Sequence, residues 1–129
     1  MKDESGTQPP DLRSRTKAFA LRIIKLSSAL RSGLEIDVIR RQVVRSGTSV
    51  GANYREAHRA RSNAEFVSKI GDCLRELDET NYWLELLIEA EIVSSERLSS
   101  LVDEPNQLIA ILTVIVRKVK SSLNDRCRS

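Results

Sequence analysis

Seven basic residues at helical spacing are the part of this sequence that could bind a charged ligand. Four arginines of the second predicted helix project within about 80° of one another when successive residues are set 100° apart. These four are Arg41, Arg45, Arg55 and Arg59. A second cluster, on the first predicted helix, consists of Arg15, Arg22 and Lys25. Arginine offers paired N–H donors to phosphate, so this pattern suits an extended polyanion such as nucleic acid. A solvated face and a surface that contacts an acidic partner are the alternatives.

Residue types that catalyse reactions or bind metals form no recognisable site in the sequence. His58 is the only histidine, and it lacks Cys or carboxylate partners at metal-ligand spacing, so we interpret it as a surface side chain. Asp72, Glu76 and Glu79 share one face of the third predicted helix, but no Glu-x-x-His motif accompanies them. We expect these carboxylates to pair with the basic segments. The sequence therefore predicts a protein that is not an enzyme and uses no metal or other cofactor.

The elements that position these side chains are predicted to be four helices. The 129 residues are 40% hydrophobic, and glycine, proline and aromatic residues are scarce, which favours a helical domain over a β fold. Apolar periodicity predicts helices at about 12–30, 36–61, 63–90 and 95–123. Ser62 and Glu65 have the capping-box spacing that starts the third helix. Pro105 predicts either a kink in the fourth helix or a break after residue 103.

These segments predict an all-α protein, an antiparallel up-and-down four-helix bundle. The bundle is expected to occupy residues 12–123, between a flexible N-terminal segment at 1–11 and a flexible tail at 124–129. The second helix carries Ser46, Ser49 and Asn53 on a stripe beside its core face, with small residues around them. Small residues allow a neighbouring helix to approach closely, so this stripe predicts tight packing within or between subunits.

The end of the third predicted helix is apolar on two faces. The predicted core stripe consists of Phe66, Ile70, Leu74, Leu77, Leu84 and Ile88. The opposite face has Trp83, Leu86, Leu87 and Ala90 in place of charged residues. A second apolar face needs a partner, so this patch predicts the interface of a homo-oligomer.

Charge is strongly segregated along the chain. Residues 12–62 carry 12 Lys/Arg and 3 Asp/Glu, whereas residues 63–104 carry 3 Lys/Arg and 11 Asp/Glu. This asymmetry favours a basic surface for a polyanion, complementary surfaces that meet within or between subunits, or both. The two cysteines lack metal-type spacing and are expected to be reduced thiols. The sequence shows neither a signal-peptide pattern nor an apolar run of about 18 residues, so we expect a cytoplasmic protein with no membrane partner.

The segment 42–57, QVVRSGTSVGANYREA, resembles the bacterial four-helix-bundle proteins known as 23S rRNA intervening-sequence proteins. The pattern Arg-Ser-x-x-Ser-x-x-x-Asn-x-x-Glu-Ala carries this resemblance, together with the later stretch 66–87, which includes Tyr82-Trp83-Leu84. The matching positions of the pattern are Arg45, Ser46, Ser49, Asn53, Glu56 and Ala57. The resemblance implies a role for them that is structural at least as much as functional.

The same resemblance implies assembly and partners. Members of the family form homopentamers, and relatives in diversity-generating retroelements bind nucleic acid and a reverse transcriptase through a basic surface. We therefore expect a non-enzymatic, oligomeric nucleic-acid-binding or accessory protein, with RNA preferred over DNA, that forms a homo-oligomeric ring of five subunits. The alternative is a protein-interaction scaffold that binds an acidic partner or a reverse transcriptase and has no direct nucleic-acid role.

Overall fold

A computed structural model describes the backbone of residues 11–128 and the side chains of residues 11–123. Within that range the chain forms α1 (Leu12–Ala29), α2 (Leu34–Ala57), α3 (Asn63–Glu89) and α4 (Ser95–Arg128), with no strands. Each helix packs against the next one along the chain, α1 touches α4 over a short stretch, and the diagonal pairs are apart. The predicted all-α fold with four helices is confirmed, and this packing is that of a bundle.

The first turn of α1 is capped by the residue that precedes the helix, Asp11, which the sequence assigned to the flexible segment. Asp11 is the N-cap: its Oδ1 accepts a bond from the Ser14 amide at 3.2 Å, and its Oδ2 accepts one from Ser14 Oγ at 2.7 Å. These bonds lower the pKa of the Asp11 carboxyl. Helix α1 thus begins at Leu12, and residues 1–10 of the expected flexible segment lie outside the described part of the chain.

The turn between α2 and α3 is longer than predicted on the α2 side, because α2 ends early, whereas α3 begins where the sequence predicts. Beyond Ala57 the backbone tightens into bonds that span three residues, because the amide of Arg59 donates to Glu56 O at 3.0 Å. The helix thus ends four residues before the predicted position at 61. At the start of α3, Ser62 Oγ accepts from the Glu65 amide at 3.1 Å, which confirms the predicted cap. The Glu65 carboxylate accepts from the Arg61 amide at 2.6 Å.

The last helix is a single element from Ser95 to Arg128. Of the two predicted alternatives at Pro105, the break after residue 103 is wrong, because one helix continues through this proline, which occupies a core position. Buried residues of α4 recur at alternate spacings of three and four, namely Leu98, Leu101, Pro105, Leu108 and Leu112. Core contacts on both sides of the proline thus hold one helix across the missing backbone N–H. The predicted helix end at residue 123 is also too early, because helical hydrogen bonds propagate beyond the apolar stripe.

The core face of α3 differs from the predicted stripe by a small rotation. Its buried residues are Ile70, Cys73, Leu77, Thr80, Leu84 and Leu87, again at alternate spacings of three and four. Phe66, Leu74 and Ile88 are only half-buried beside them. Leu87, which the sequence assigned to the outer interface patch, is fully buried. The stripe was misplaced because Thr80, a polar residue type, occupies a core position.

Small side chains bring α2 close to both of its neighbours. A Cβ at Gly47 would lie 2.9 Å from Ile23 Cγ1 on α1, and a Cβ at Gly51 would lie 3.3 Å from Thr16 Oγ1. On the other side, the buried hydroxyls of Ser46 and Thr80 are 2.8 Å apart. The predicted close packing is thus found within one subunit.

Candidate nucleic-acid interface

The seven predicted cations do not form one surface. On α2, Arg41 and Arg55 are exposed on the outward side, whereas Arg59 lies in the turn after the helix. Arg45 is also exposed in part, but its side chain extends towards α3. The cluster on α1 faces α4. The predicted ridge therefore separates into groups with different neighbours.

Arg45 is held by carboxylates of α3. Its guanidinium donates to Glu76 Oε1 at 3.4 Å and to Glu79 Oε2, while its Nε donates to Gln42 Oε1 at 3.1 Å. The hydrogen bond from Arg45 is the main cause of the lowered pKa of Glu79. A hydrogen bond from Trp83 Nε1 at 3.0 Å lowers this pKa further. Pairing of the α3 carboxylates with a basic segment is thus confirmed for Glu76 and Glu79.

The cations Arg15, Arg22 and Lys25 lie along the boundary between α1 and α4. Arg15 donates from Nε and Nη2 to the two oxygens of Glu104 at 2.7 and 2.9 Å, which raises the pKa of Arg15. Arg22 donates to Ser100 Oγ at 2.8 Å. Lys25 lines an open cleft between the two helices. This cluster therefore points away from the arginines of α2.

A groove between α1 and α2 brings together a different set of cations. This α1–α2 groove has a volume of about 300 Å³ and is lined by Arg13, Thr16, Lys17, Ala20, Thr48, Gly51, Ala52 and Arg55. Its three cationic side chains make no ion pair with any carboxylate among the described residues. The hydroxyls of Thr16 and Thr48 each donate to a carbonyl of their own helix at 2.7 Å. The groove therefore presents positive charge above a floor of small residues.

Arg13 and Lys17 were missed by the sequence analysis, which selected the other face of α1. At 100° per residue they lie about 160° from Arg15 around the helix. Their spacing of four residues, followed by Ala20, is the signal that could have identified them. On α2, the same geometry places Arg41 on the strip that contains Thr48, two turns from the groove.

The remaining motif residues have structural contacts. Ser49 Oγ donates to Arg45 O at 2.7 Å, and the Glu56 carboxylate accepts from Lys69 Nζ at 2.7 Å. Asn53 is half-buried on α2 beside the core. Of the predicted interface patch, Ala90 is exposed and Trp83 and Leu86 are half-buried, whereas Leu87 belongs to the core. The patch is therefore smaller than the sequence indicated.

The two potentially reactive side chains have different surroundings, because Cys73 lies in the core whereas His58 is exposed just after α2. Cys73 is fully buried with its Sγ 3.5 Å from Val50 O, and burial raises its pKa to about 12, so the thiol stays protonated at neutral pH. The His58 ring stands edge-on to Tyr54, with centroids 4.6 Å apart. The described side chains contain no group of three His, Cys, Asp or Glu that could hold a metal ion. None of the described helices is both long and apolar enough to cross a membrane.

Comparison with known proteins gives one family. The sequence model of the 23S rRNA-intervening sequence protein family matches residues 11–114. A crystal structure of a protein with unknown function from the S23 ribosomal protein family of Bacteroides thetaiotaomicron is similar to this chain, with 38% sequence identity and a TM-score of 0.77. The alignment covers 81% of this chain and 97% of that one. No curated protein matches the sequence.

Proposed function

Because this chain belongs to the family of 23S rRNA-intervening sequence proteins, we propose that it is a non-enzymatic accessory protein that binds RNA through the α1–α2 groove. The observation that supports this proposal is the set of three cations, Arg13, Lys17 and Arg55, around one groove without a carboxylate partner among the described side chains. Cations that are not neutralised by the protein itself can replace the counterions of a phosphate backbone.

The floor of the groove favours a backbone contact over base recognition. Ala52 is exposed and carries only one carbon beyond the backbone, so a phosphate can approach α2 closely between the longer cationic side chains. No aromatic side chain lines the groove, so stacking of bases contributes little to this interaction. The proposed binding is therefore salt-sensitive and weakly selective for sequence, and Arg41 extends the contact along α2.

The test is the affinity of the full chain for a labelled single-stranded RNA over a series of salt concentrations. Replacement of Arg13, Lys17 and Arg55 together by Gln should reduce the slope of log affinity against log salt by about 2, since each contact with a single strand contributes about 0.7. The matched control replaces Arg117, Lys118 and Lys120, exposed cations of α4, by Gln. An equal loss in both triple variants, or no loss in the first, would contradict the groove as the binding site. A DNA strand of the same sequence should bind more weakly.

We also propose that the protein acts as a homo-oligomer, with five subunits as the resemblance implies. Large apolar side chains remain exposed on the α1–α2 hairpin, namely Leu21, Ile24, Leu34 and Val38. Burial of such side chains between subunits favours association. Repetition of the groove around a ring would also give one RNA several weak contacts at high effective concentration.

A further inference from the structure

An open cleft of about 490 Å³ lies between the end of α1 and the start of α4. This α1–α4 cleft has a volume within the range of small-ligand sites. The connection between α3 and α4 forms one wall, and the backbone fixes its position. The amides of Ile92 and Val93 both donate to Leu87 O, at 3.0 and 3.2 Å, so the wall is tied to the last turn of α3. The site is therefore built from ordered helix ends.

The lining of the cleft combines two chemical features. Its apolar part includes Leu26 of α1 and the following C-cap residue Leu30, Ile92 from the connection, and Leu98 and Leu101 from α4. Its charged part consists of Arg22, Lys25, Arg31 and Arg97, and no carboxylate lines the cleft. None of these four cations forms an ion pair within the described part of the chain. An occupant must therefore offer apolar surface and several negative charges together.

We propose that the α1–α4 cleft binds an acidic peptide segment of another protein. One or two aliphatic or Phe side chains of that peptide would insert into the cleft, between the cationic side chains at the edges of the cleft. The four cations match several carboxylates around one apolar anchor, whereas a fatty acid would supply only one. A phosphate backbone would leave the large aliphatic side chains of this cleft without an apolar contact, whereas the floor of the α1–α2 groove consists of small residues.

The acidic strip on α3 of a second copy is a poor fit to the cleft. The exposed acidic strip of α3 offers Tyr82 as its large side chain, between Asp78 and Glu85. No side chain that lines the cleft could accept a hydrogen bond from the Tyr82 hydroxyl. Burial of that donor would oppose binding, because an unsatisfied polar group is costly to bury.

The experiment measures the binding of a fluorescein-labelled synthetic peptide, in which glutamates flank a central Leu-Leu-Phe, to the full chain. We expect saturable binding that is weakened about tenfold or more when the three apolar residues of the peptide become Ser. That comparison leaves both the protein and the peptide charge unchanged, so it isolates the apolar contact. Equal binding of the two peptides would overturn the proposal, because charge alone would then account for it.

Protein variants locate the site. Lys25→Gln with Arg97→Gln should weaken peptide binding about tenfold, whereas Arg117→Gln with Lys118→Gln, which removes the same charge from the far half of α4, should leave it unchanged. The first pair should retain RNA binding, and the groove triple variant should retain peptide binding, so this proposal can fail independently of the RNA proposal. Displacement of the peptide by RNA or by dodecanoate would overturn it. Loss of self-association in the Lys25/Arg97 variant, with peptide binding unchanged, would instead assign the cleft to a second copy.

Discussion

At the scale of single residues, two neighbouring arginines of α2 have different surroundings. Arg40 reaches back to the end of α1, where its guanidinium donates to the carbonyls of Ser27, Leu30 and Arg31, the last at 2.9 Å. Helix α1 has no basic residue in its own last turn, so Arg40 supplies the positive charge that a helix C-terminus favours. Arg41 is exposed and has no partner among the described side chains.

This difference predicts that the same substitution lowers stability at position 40 and affects RNA binding, but not stability, at position 41. Arg40→Gln should lower the free energy of unfolding by about 1–3 kcal/mol, because charged hydrogen bonds to backbone carbonyls are lost. Arg41→Gln should leave stability within about 0.5 kcal/mol of the original protein but weaken RNA binding. Urea unfolding and RNA titration of both variants test the prediction, and equal stabilities would contradict the role of Arg40.

Sequence reasoning placed the predicted cations on the correct helices, except for Arg59, which lies in the turn after α2, but it could not assign their individual partners. Helical spacing shows that Arg45 and Arg41 share a strip, yet only the register between α2 and α3 reveals that Glu76 and Glu79 neutralise one of them. The same limit explains the omission of Arg13 and Lys17. Their importance depends on which face of α1 lies beside α2, and contacts such as Ile23 against Gly47 determine that face.

At the scale of helices, the C-terminus of α3 has an unusual residue in its terminal turn. Glu91 has a φ of 60° and is the only non-glycine residue with positive φ among those described. Its amide donates to Ile88 O at 2.9 Å, and the amide of Ile92 donates to Leu87 O at 3.0 Å. These two bonds form a Schellman motif, in which this position usually has glycine.

Glu91→Gly should therefore raise the free energy of unfolding by about 1 kcal/mol, since a residue with a Cβ is strained in the left-handed conformation. Glu89→Gly is the matched control. Glu89 is the last residue of α3 and is also exposed, so glycine there should lower stability by about 0.5–1 kcal/mol. Thermal unfolding of both variants measures whether each substitution raises or lowers the free energy of unfolding. Destabilisation by Glu91→Gly would show that the turn is not strained.

The four helices could be predicted from apolar periodicity, but two details of their packing could not. The cap at Ser62 is a local signal and was found, whereas the continuity of α4 across Pro105 depends on long-range core contacts that a local rule for proline does not include. Thr80 is a similar case. Its hydroxyl is satisfied by Ser46 and by Glu76 O, so a polar residue can take a core position.

At the scale of the whole molecule, the exposed apolar side chains of the α1–α2 hairpin predict the surface of self-association. Leu34 is 84% exposed and Val38 is 52% exposed. Burial of each side chain in an interface is worth roughly 1.5–3 kcal/mol, so Leu34→Gln with Val38→Gln should reduce the sedimentation coefficient while helicity is preserved. Val114→Gln, at an exposed apolar position on α4, is the control. A monomeric original protein at micromolar concentration would contradict the proposed assembly.

The order in which the helices pack also bears on how quickly the chain can fold. Because each helix rests mainly on the helix before or after it, and α1 meets α4 only briefly, most contacts join residues that are close in sequence. Such a topology has a low contact order, for which folding times of about microseconds to milliseconds are typical. A single chain can therefore fold well before it meets another, so that in the proposed homo-oligomer the association step, rather than folding, would depend on concentration.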